Sequence, residues 1–354
     1  MSDYYDGTKL LSLKDLNGET PEIYLCTSNR SAGKTTYFNR LLVRRFQRGL
    51  GKFCLIYRYS YELDNVADKF FKDISSLFFP EYFMRSEKRS RGIYHELYLC
   101  HKDDDPKTGG VPCGYAISLN SADQIKKLSH FFSDVTIMLM DEFQSETNNY
   151  CPNELTKFKS IHNSIARGGG KQSRYLPVIM LSNPVTLLNP YYTGLGISSR
   201  LQDNTKFLRG NGWVLEQGFV ESASRALQDS AFNKAFVDST YLNYASQGIY
   251  LNDSRAFIEK PQGTGKYVAT IRFCDKDYAI RMYAQLGIVY CDDRPDVTYP
   301  ERYAITTEDF KVNYVMLKTN ELFFNTLRYY FEHGAFRFKG MQEKEAIMFA
   351  LGYR

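Results

Sequence analysis

The run Ser28-Asn29-Arg30-Ser31-Ala32-Gly33-Lys34-Thr35, followed by Thr36, has the residue types and spacing to hold a chain of phosphates. It follows the phosphate-loop pattern G-x-x-x-x-G-K-[ST], with serine where the first glycine usually stands. In such a loop, backbone N–H groups surround the phosphates, and a residue without a side chain at Gly33 allows close approach. The Lys34 ammonium suits the β- and γ-phosphates of a nucleotide, and the Thr35 hydroxyl suits Mg²⁺. Downstream, the apolar run Val135–Met140 ends in Asp141-Glu142. Asp141 suits the Mg²⁺ shell, and Glu142 suits the base that orients and activates an attacking water. A third apolar run, Tyr175 to Leu181, leads into Ser182-Asn183. There Asn183 can read a γ-phosphate, the plain alternative being an Asn-Pro turn. Arg167, beside Gly168-Gly169-Gly170, is the candidate for an arginine delivered by a neighbouring subunit, with Arg174 and Arg200 as the other choices. Such a group is worth about 10³–10⁵ in rate.

These residues need a scaffold that brings strand ends together, and the pattern of the chain supplies one. Glu22–Cys26 reads as a buried strand, Lys34–Arg48 as a helix stopped by Gly49 and Gly51, and Phe53–Tyr57 as a second strand, a βαβ unit. Residues 64–80 read as a helix, 81–92 as a basic loop, 93–119 as a hairpin and 153–166 as a helix. Strands alternating with helices predict an α/β fold with a mostly parallel sheet. The texture changes after residue 215. The reading is therefore a phosphate-loop domain over 1–215, a helical linker over 216–254 and a C-terminal α+β domain over 255–354. Strands are expected in the last at 256–259, 267–274, 278–283 and 287–291, and helices at 307–332 and 342–351.

Composition narrows the function classes. The chain has 354 residues, 43% hydrophobic and 24% charged, which excludes a disordered, collagen-like or coiled-coil protein. No apolar run is long enough to span a membrane, and the polar start does not read as a secretory signal. The net charge of +5 permits a basic patch without demanding one. The seven cysteines contain no C-x-x-C, so neither a disulfide framework nor a zinc site is expected, and the compartment reads as reducing. Aromatic residues reach 15%, with 28 tyrosines. Genome composition and core packing account for that better than a stacking surface.

Several segments together resemble the φ29-type DNA-packaging ATPases of small tailed bacteriophages. They are the Ser28–Thr35 loop, Phe53-Cys-Leu-Ile-Tyr-Arg58-Tyr59-Ser-Tyr-Glu62-Leu63, Met140-Asp141-Glu142-Phe143, Leu181-Ser182-Asn183 with Asn189-Pro190-Tyr191, and Phe257-Ile-Glu-Lys260. The resemblance implies a phosphate-loop fold of the additional-strand, catalytic-glutamate class (terminase- and HerA/FtsK-like). It implies ATP and Mg²⁺ as cofactors, and a homopentameric ring docked on the portal of a procapsid in the host cytoplasm, driving double-stranded DNA inward. It places Arg167 near the family's arginine finger, and Lys127 (or Lys126) near a second basic residue acting between subunits. It also implies a C-terminal domain similar to an RNase H-like nuclease that has lost its catalytic carboxylates, with a docking role toward a structural RNA or a capsid protein.

DNA contact in such a motor needs phosphate-backbone cations and no sequence readout. Arg85, Lys88, Arg89 and Arg91, clustered in one expected loop, lead; Lys127, Lys157, Lys159, Lys171 and Arg174 are further candidates. Asp275, Asp277, Asp292 and Asp293 could serve a metal-dependent nuclease but read better as turn acids. The alternatives to a packaging ATPase are thus a terminase-like enzyme with an active nuclease, and a phosphate-loop kinase. The second acid, Glu142, argues against the kinase.

Overall fold

Four short apolar runs are buried on both faces, as the interior of a parallel sheet requires. They become β1 (Ile23–Ser28), β2 (Lys52–Tyr57), β6 (Val135–Met140) and β7 (Val178–Ser182) of the computed structural model. The structure describes residues 4–147, 149–167, 172–187, 189–198, 200–201, 205–235, 240–247 and 257–352. Among the described residues, no helix is long and apolar enough to cross a membrane. The chain divides into two compact units, Met1–Leu195 with Leu201–Asn252, and Gly196–Arg200 with Asp253–Arg354.

The first unit carries α1 (Thr8–Ser12) and α2 (Lys34–Gln47), then α3 (Val66–Phe78), β3 (Tyr82–Arg89), β4 (Tyr94–His101) and β5 (Val111–Ser118). After these come α4 (Ala122–Lys127), α5 (Glu154–Ile165), α6 (Pro190–Gly194), β8 (Phe207–Gly210) and β9 (Trp213–Gly218). Among the described residues its nine strands lie in the order β3-β4-β5-β2-β6-β7-β1-β9-β8. The six from β5 to β9 are mutually parallel, and antiparallel β3-β4 and β8 extend the two edges. β7 therefore lies between the strand that feeds the loop, β1, and the strand that ends in the two acids, β6. The core packs Phe38 and Leu42 of α2 and Phe70, Phe71 and Ile74 of α3 against Leu55, Ile137 and Ile179 of the sheet.

The basic segment 81–92 is not the loop expected from sequence. Most of it is β3, paired residue by residue with β4 from Tyr82↔His101 to Arg89↔Tyr94. Its sequence YFMRSEKR has no apolar alternation, because an edge strand packs weakly on either face and takes its register from backbone hydrogen bonds. The span 216–254 opens inside β9 and continues as α7 (Glu221–Asp229), α8 (Ala231–Lys234) and α9 (Thr240–Gln247), which group with the first unit. The sequence from Ser222 to Ala245 is helix-like, and the structure interrupts it at Ser230, whose side chain accepts from the Asn233 N–H and starts α8.

The second unit has β10 (Lys266–Phe273), β11 (Lys276–Tyr283), β12 (Ile288–Asp292), β13 (Arg302–Ala304), β14 (Val315–Met316), α10 (Glu321–Glu332), β15 (Phe336–Phe338) and α11 (Met341–Leu351). β10, β11 and β12 form an antiparallel meander; β13 adds parallel to β10, β14 to β13 and β15 to β12. Of the expected strand 256–259, the described part contributes one isolated bridge, Ile258 to Phe338. The helix expected from 307 begins at Glu321, where Asn320 caps it by accepting from Phe323 N–H.

Candidate functional site

The loop between β1 and α2 is pinned from below before any ligand is considered. Asn29 is fully buried; its amide donates to Val220 O and accepts from Val220 N–H, both at 3.0 Å. Ser28 pairs with Gly218 of β9, and its hydroxyl donates to the Asn29 carbonyl at 3.2 Å. Arg30 N–H donates to Ala245 O at 2.9 Å, and its guanidinium pairs with Glu146. Ala32 is buried and its carbonyl accepts from Tyr5 N–H at 2.8 Å. Ser31 (φ 60°) and Gly33 (φ 90°) are both left-handed, which turns the loop sharply into the first turn of α2. Gly33 is the residue for which that conformation carries no steric cost.

Three strand ends then deliver the chemistry. The Thr35 hydroxyl donates to Asp141 Oδ2 at 2.9 Å, and Lys34 Nζ donates to Asn183 Oδ1 at 2.7 Å. The side chains of β6 and β7 thus meet the two loop residues meant for cation and phosphate. Asn183 is a contact of Lys34, not merely half of a turn. Glu142 follows Asp141 with φ 55°, and its N–H donates to Asp141 Oδ1 at 3.0 Å. Burial pulls the Lys34 ammonium below its ordinary pKa, and the Asp141 carboxylate opposes that. Burial pushes the Asp141 carboxyl up, with Lys34 and Thr35 opposing. Loss of solvent pushes Glu142 up as well, and Asp141 and Glu146 add to it, which makes it a better proton acceptor. A hydroxyl beside a carboxylate is a hard-oxygen pair of the kind Mg²⁺ takes when phosphates complete its shell. Among the described residues no three His, Cys, Asp or Glu side chains gather as an all-protein metal site.

A second layer was not read from the sequence. Arg58, at the end of β2, is 9% exposed and Glu154, in the first turn of α5, 3%. Arg58 Nε and Nη2 donate to the two Glu154 oxygens at 2.8–3.1 Å, and Nη2 also donates to Phe143 O at 3.0 Å. Tyr191 OH (2.8 Å) and Cys151 N–H (2.8 Å) complete the Glu154 carboxylate. Gln144 Oε1 accepts from Val185 and Thr186 N–H at 3.0 and 2.9 Å, tying the segment after Glu142 to the one after Asn183. Arg58 and Tyr191 stand in motifs quoted above, but no spacing joins them to Glu154.

The other sequence candidates are dispersed. Arg167 is exposed just beyond α5, and Lys127 is exposed at the end of α4. Lys126 pairs with Asp123. Lys157 and Lys159 lie on α5. Lys171 lies outside the described residues, as do Gly168–Gly170. Arg174 is corrected to a structural residue, because its guanidinium donates to the carbonyls of Val135 and of Ile165 (3.1 Å). The cluster 85–91 lies on β3 and in the turn after it rather than in the expected loop. Arg85 pairs with Glu87 and stacks on Tyr98, Lys88 pairs with Asp64, and Arg89 with Glu96 and Glu87. Arg91 is exposed in the turn after β3. In the second unit, Asp275 and Asp277 pair with Arg272, Asp292 with Arg281 and Asp293 with Lys339.

Comparison with known proteins gives one family match and a consistent set of relatives. The family model of the Podovirus DNA encapsidation protein (Gp16) matches residues 1–352. A DNA packaging protein of Bacillus phage phi29 is 25% identical over 293 residues, 82% of this chain and 80% of that protein. The corresponding protein of Bacillus phage B103 is 25% identical over 292 residues, covering 81% and 83%. Among solved structures, a chain of the bacteriophage Phi-29 viral genome packaging motor assembly superposes with a TM-score of 0.70 at 22% identity, covering 99% of each chain. A chain of the Phi-28 gp11 DNA packaging motor gives a TM-score of 0.61 at 16% identity, covering 100% of this chain and 99% of that one.

Proposed function

The chain belongs to the Podovirus DNA encapsidation protein (Gp16) family, and from that premise we propose that it is an ATPase coupling hydrolysis to the movement of double-stranded DNA into a procapsid. It works as a homo-oligomeric ring, five subunits being the number the resemblance implies, at the capsid portal during virus assembly in the host cytoplasm. The observation that carries the reading is the pair of contacts Thr35–Asp141 and Lys34–Asn183, made across three adjacent parallel strands. The strand order, with β7 between β1 and β6, supports the additional-strand class.

In this reading ATP sits on Ser28–Thr36. Lys34 exchanges Asn183 for phosphate oxygens, which leaves the Asn183 amide to hold the attacking water. Thr35 and Asp141 would hold Mg²⁺, which neutralises phosphate charge when bound. Glu142 accepts the proton of the water, and Arg167 approaches from a neighbouring subunit.

We assign the second unit a docking role toward a structural RNA or a capsid protein. Its meander of β12-β11-β10 continued by parallel β13 and β14 supports an RNase H-like ancestry. The basic partner of each aspartate supports a unit without nuclease chemistry.

The deciding variant is Glu142→Gln. It is expected to bind nucleotide like the parent chain and to lose hydrolysis by about 10²-fold or more. Undiminished turnover would remove Glu142 as the base.

A further inference from the structure

Two clefts meet at the phosphate loop, and they differ in chemistry. One is polar and lined by Arg30, Gln144, and the two residues assigned above to the γ-phosphate end, Glu142 and Asn183. The other, of about 670 Å³, starts at Ser31–Thr36 and runs outward to Tyr37, Arg40, Leu77 and Phe78. Thr35 lines this cleft and also the recess that holds Asp141 and Glu142. A nucleotide whose terminal phosphate faces the acids must therefore extend its other end into the aromatic cleft.

That cleft has the features of a stacking site. Gly33, Tyr37 and Arg40 recur at four- and three-residue spacing, so one face of α2 continues the loop outward. The Arg40 guanidinium lies 4.7 Å from the Phe78 ring centre and 5.6 Å from that of Tyr37. Among the described residues no carboxylate is within ion-pair distance of Arg40; the Asp6 carboxyl, held below its ordinary value mainly by hydrogen bonds from Thr8, feels the Arg40 charge from farther off. Tyr4 is 72% exposed and Leu77 65% exposed at the rim. A Tyr4 ring carbon stands 3.5 Å from where a Cβ on Gly33 would be.

We propose that this cleft binds the nucleobase of the nucleoside triphosphate, with the base stacking against Arg40 and the aromatic rings of Tyr37 and Phe78. The inference rests on the phosphate-loop reading and adds the residues that grip the far end of the ligand. Stacking of this kind accepts any base with a π-face, so grip rather than identity is what these side chains provide.

The test compares a ligand with a base to one without. The full chain is titrated calorimetrically with Mg²⁺-ADP and with Mg²⁺-tripolyphosphate, as the parent and as Arg40→Ala, Tyr37→Ala and Lys34→Ala. Arg40→Ala is expected to weaken ADP by about tenfold and to leave tripolyphosphate within twofold. Tyr37→Ala should do the same; Tyr37 also packs on Tyr5 and Phe38, so its melting temperature is measured alongside. Quenching of 2-aminopurine nucleotide fluorescence on binding, reduced in Arg40→Ala, would report the stack directly. Unchanged ADP affinity in Arg40→Ala, or an equal loss for both ligands, would overturn the base cleft while leaving the phosphate loop standing. A parent chain that binds neither ligand, or a Lys34→Ala variant that binds both as well as the parent, would bring down the phosphate-loop reading and the cleft with it.

Discussion

Thr35 and Asp141 are 106 positions apart in the chain and 2.9 Å apart in space; Lys34 and Asn183 are 149 apart and 2.7 Å. The roles proposed for them are legible because each chemistry is written locally, as a loop pattern or as an apolar run ending in polar residues. Their meeting followed once those runs were read as neighbouring parallel strands. Asn183 is the residue whose assignment the geometry sharpens most. Replacing it with alanine removes the partner of a buried ammonium and the amide meant for the water. Asn183→Ala is expected to keep nucleotide affinity within a few-fold and to lower turnover by about 10²-fold, read as a fall in kcat at nearly constant KM. A rise in KM with kcat intact would make Asn183 a binding residue instead. Arg58, Glu154 and Gln144 escaped the sequence because a buried ion pair and a side-chain-to-backbone clamp leave no mark on spacing. Nothing in the run Cys151-Pro-Asn-Glu154 announces that its acid will face residue 58.

At the scale of elements, the central strands were found and the edges were missed. β1, β2, β6 and β7 are mostly apolar and stand out in the sequence as short buried runs, whereas β3 takes its place from pairing with β4. That pairing puts Arg85, Lys88 and Arg89 on a strand, each beside a carboxylate, where the sequence suggested a loop. The Arg58–Glu154 pair joins the end of β2 to the start of α5 and holds the carbonyl next to Glu142. Breaking such a pair leaves a buried charge without its partner, which costs about 3–5 kcal/mol. Glu154→Gln should therefore lower the melting temperature clearly, and slow turnover even where the chain is folded; the joint change of Arg58 and Glu154 to Met and Gln should be milder than the single one. On the other side of the loop, Glu216 of β9 accepts from Tyr5 OH at 2.6 Å, and burial raises its pKa above the ordinary 4.5. A carboxyl raised on folding binds more protons folded than unfolded, so its contribution weakens as pH climbs from about 4.5 through the raised value. Glu216→Gln is expected to gain melting temperature over the parent near neutral pH, with the gap closing toward pH 4. A gap independent of pH would mean that the acid is not the source.

For the whole molecule, the proposed function draws on two subunits for one site. The loop, the metal-side acids and Asn183 are gathered in the first unit, yet Arg167 lines neither cleft beside the loop. It is exposed beyond the end of α5 and has no ion pair among the described residues. The proposed reading brings Arg167 to the loop from a second copy, through a head-to-tail interface of the kind that closes a ring. Subunit mixing separates this from a structural role. Arg167→Ala alone should lose turnover by about 10³-fold or more, and Lys34→Ala alone should be inactive. Mixed in equal amounts, roughly one interface in four pairs an intact loop with an intact arginine, so ATPase should reappear although neither component has it. Double-stranded DNA should raise that rate in the mixture and in the parent, with the gain falling steeply as salt rises, which is the signature of contacts to backbone phosphates. A mixture as inactive as its components would leave Arg167 outside the site and return the search to the other exposed cations, Lys127 first.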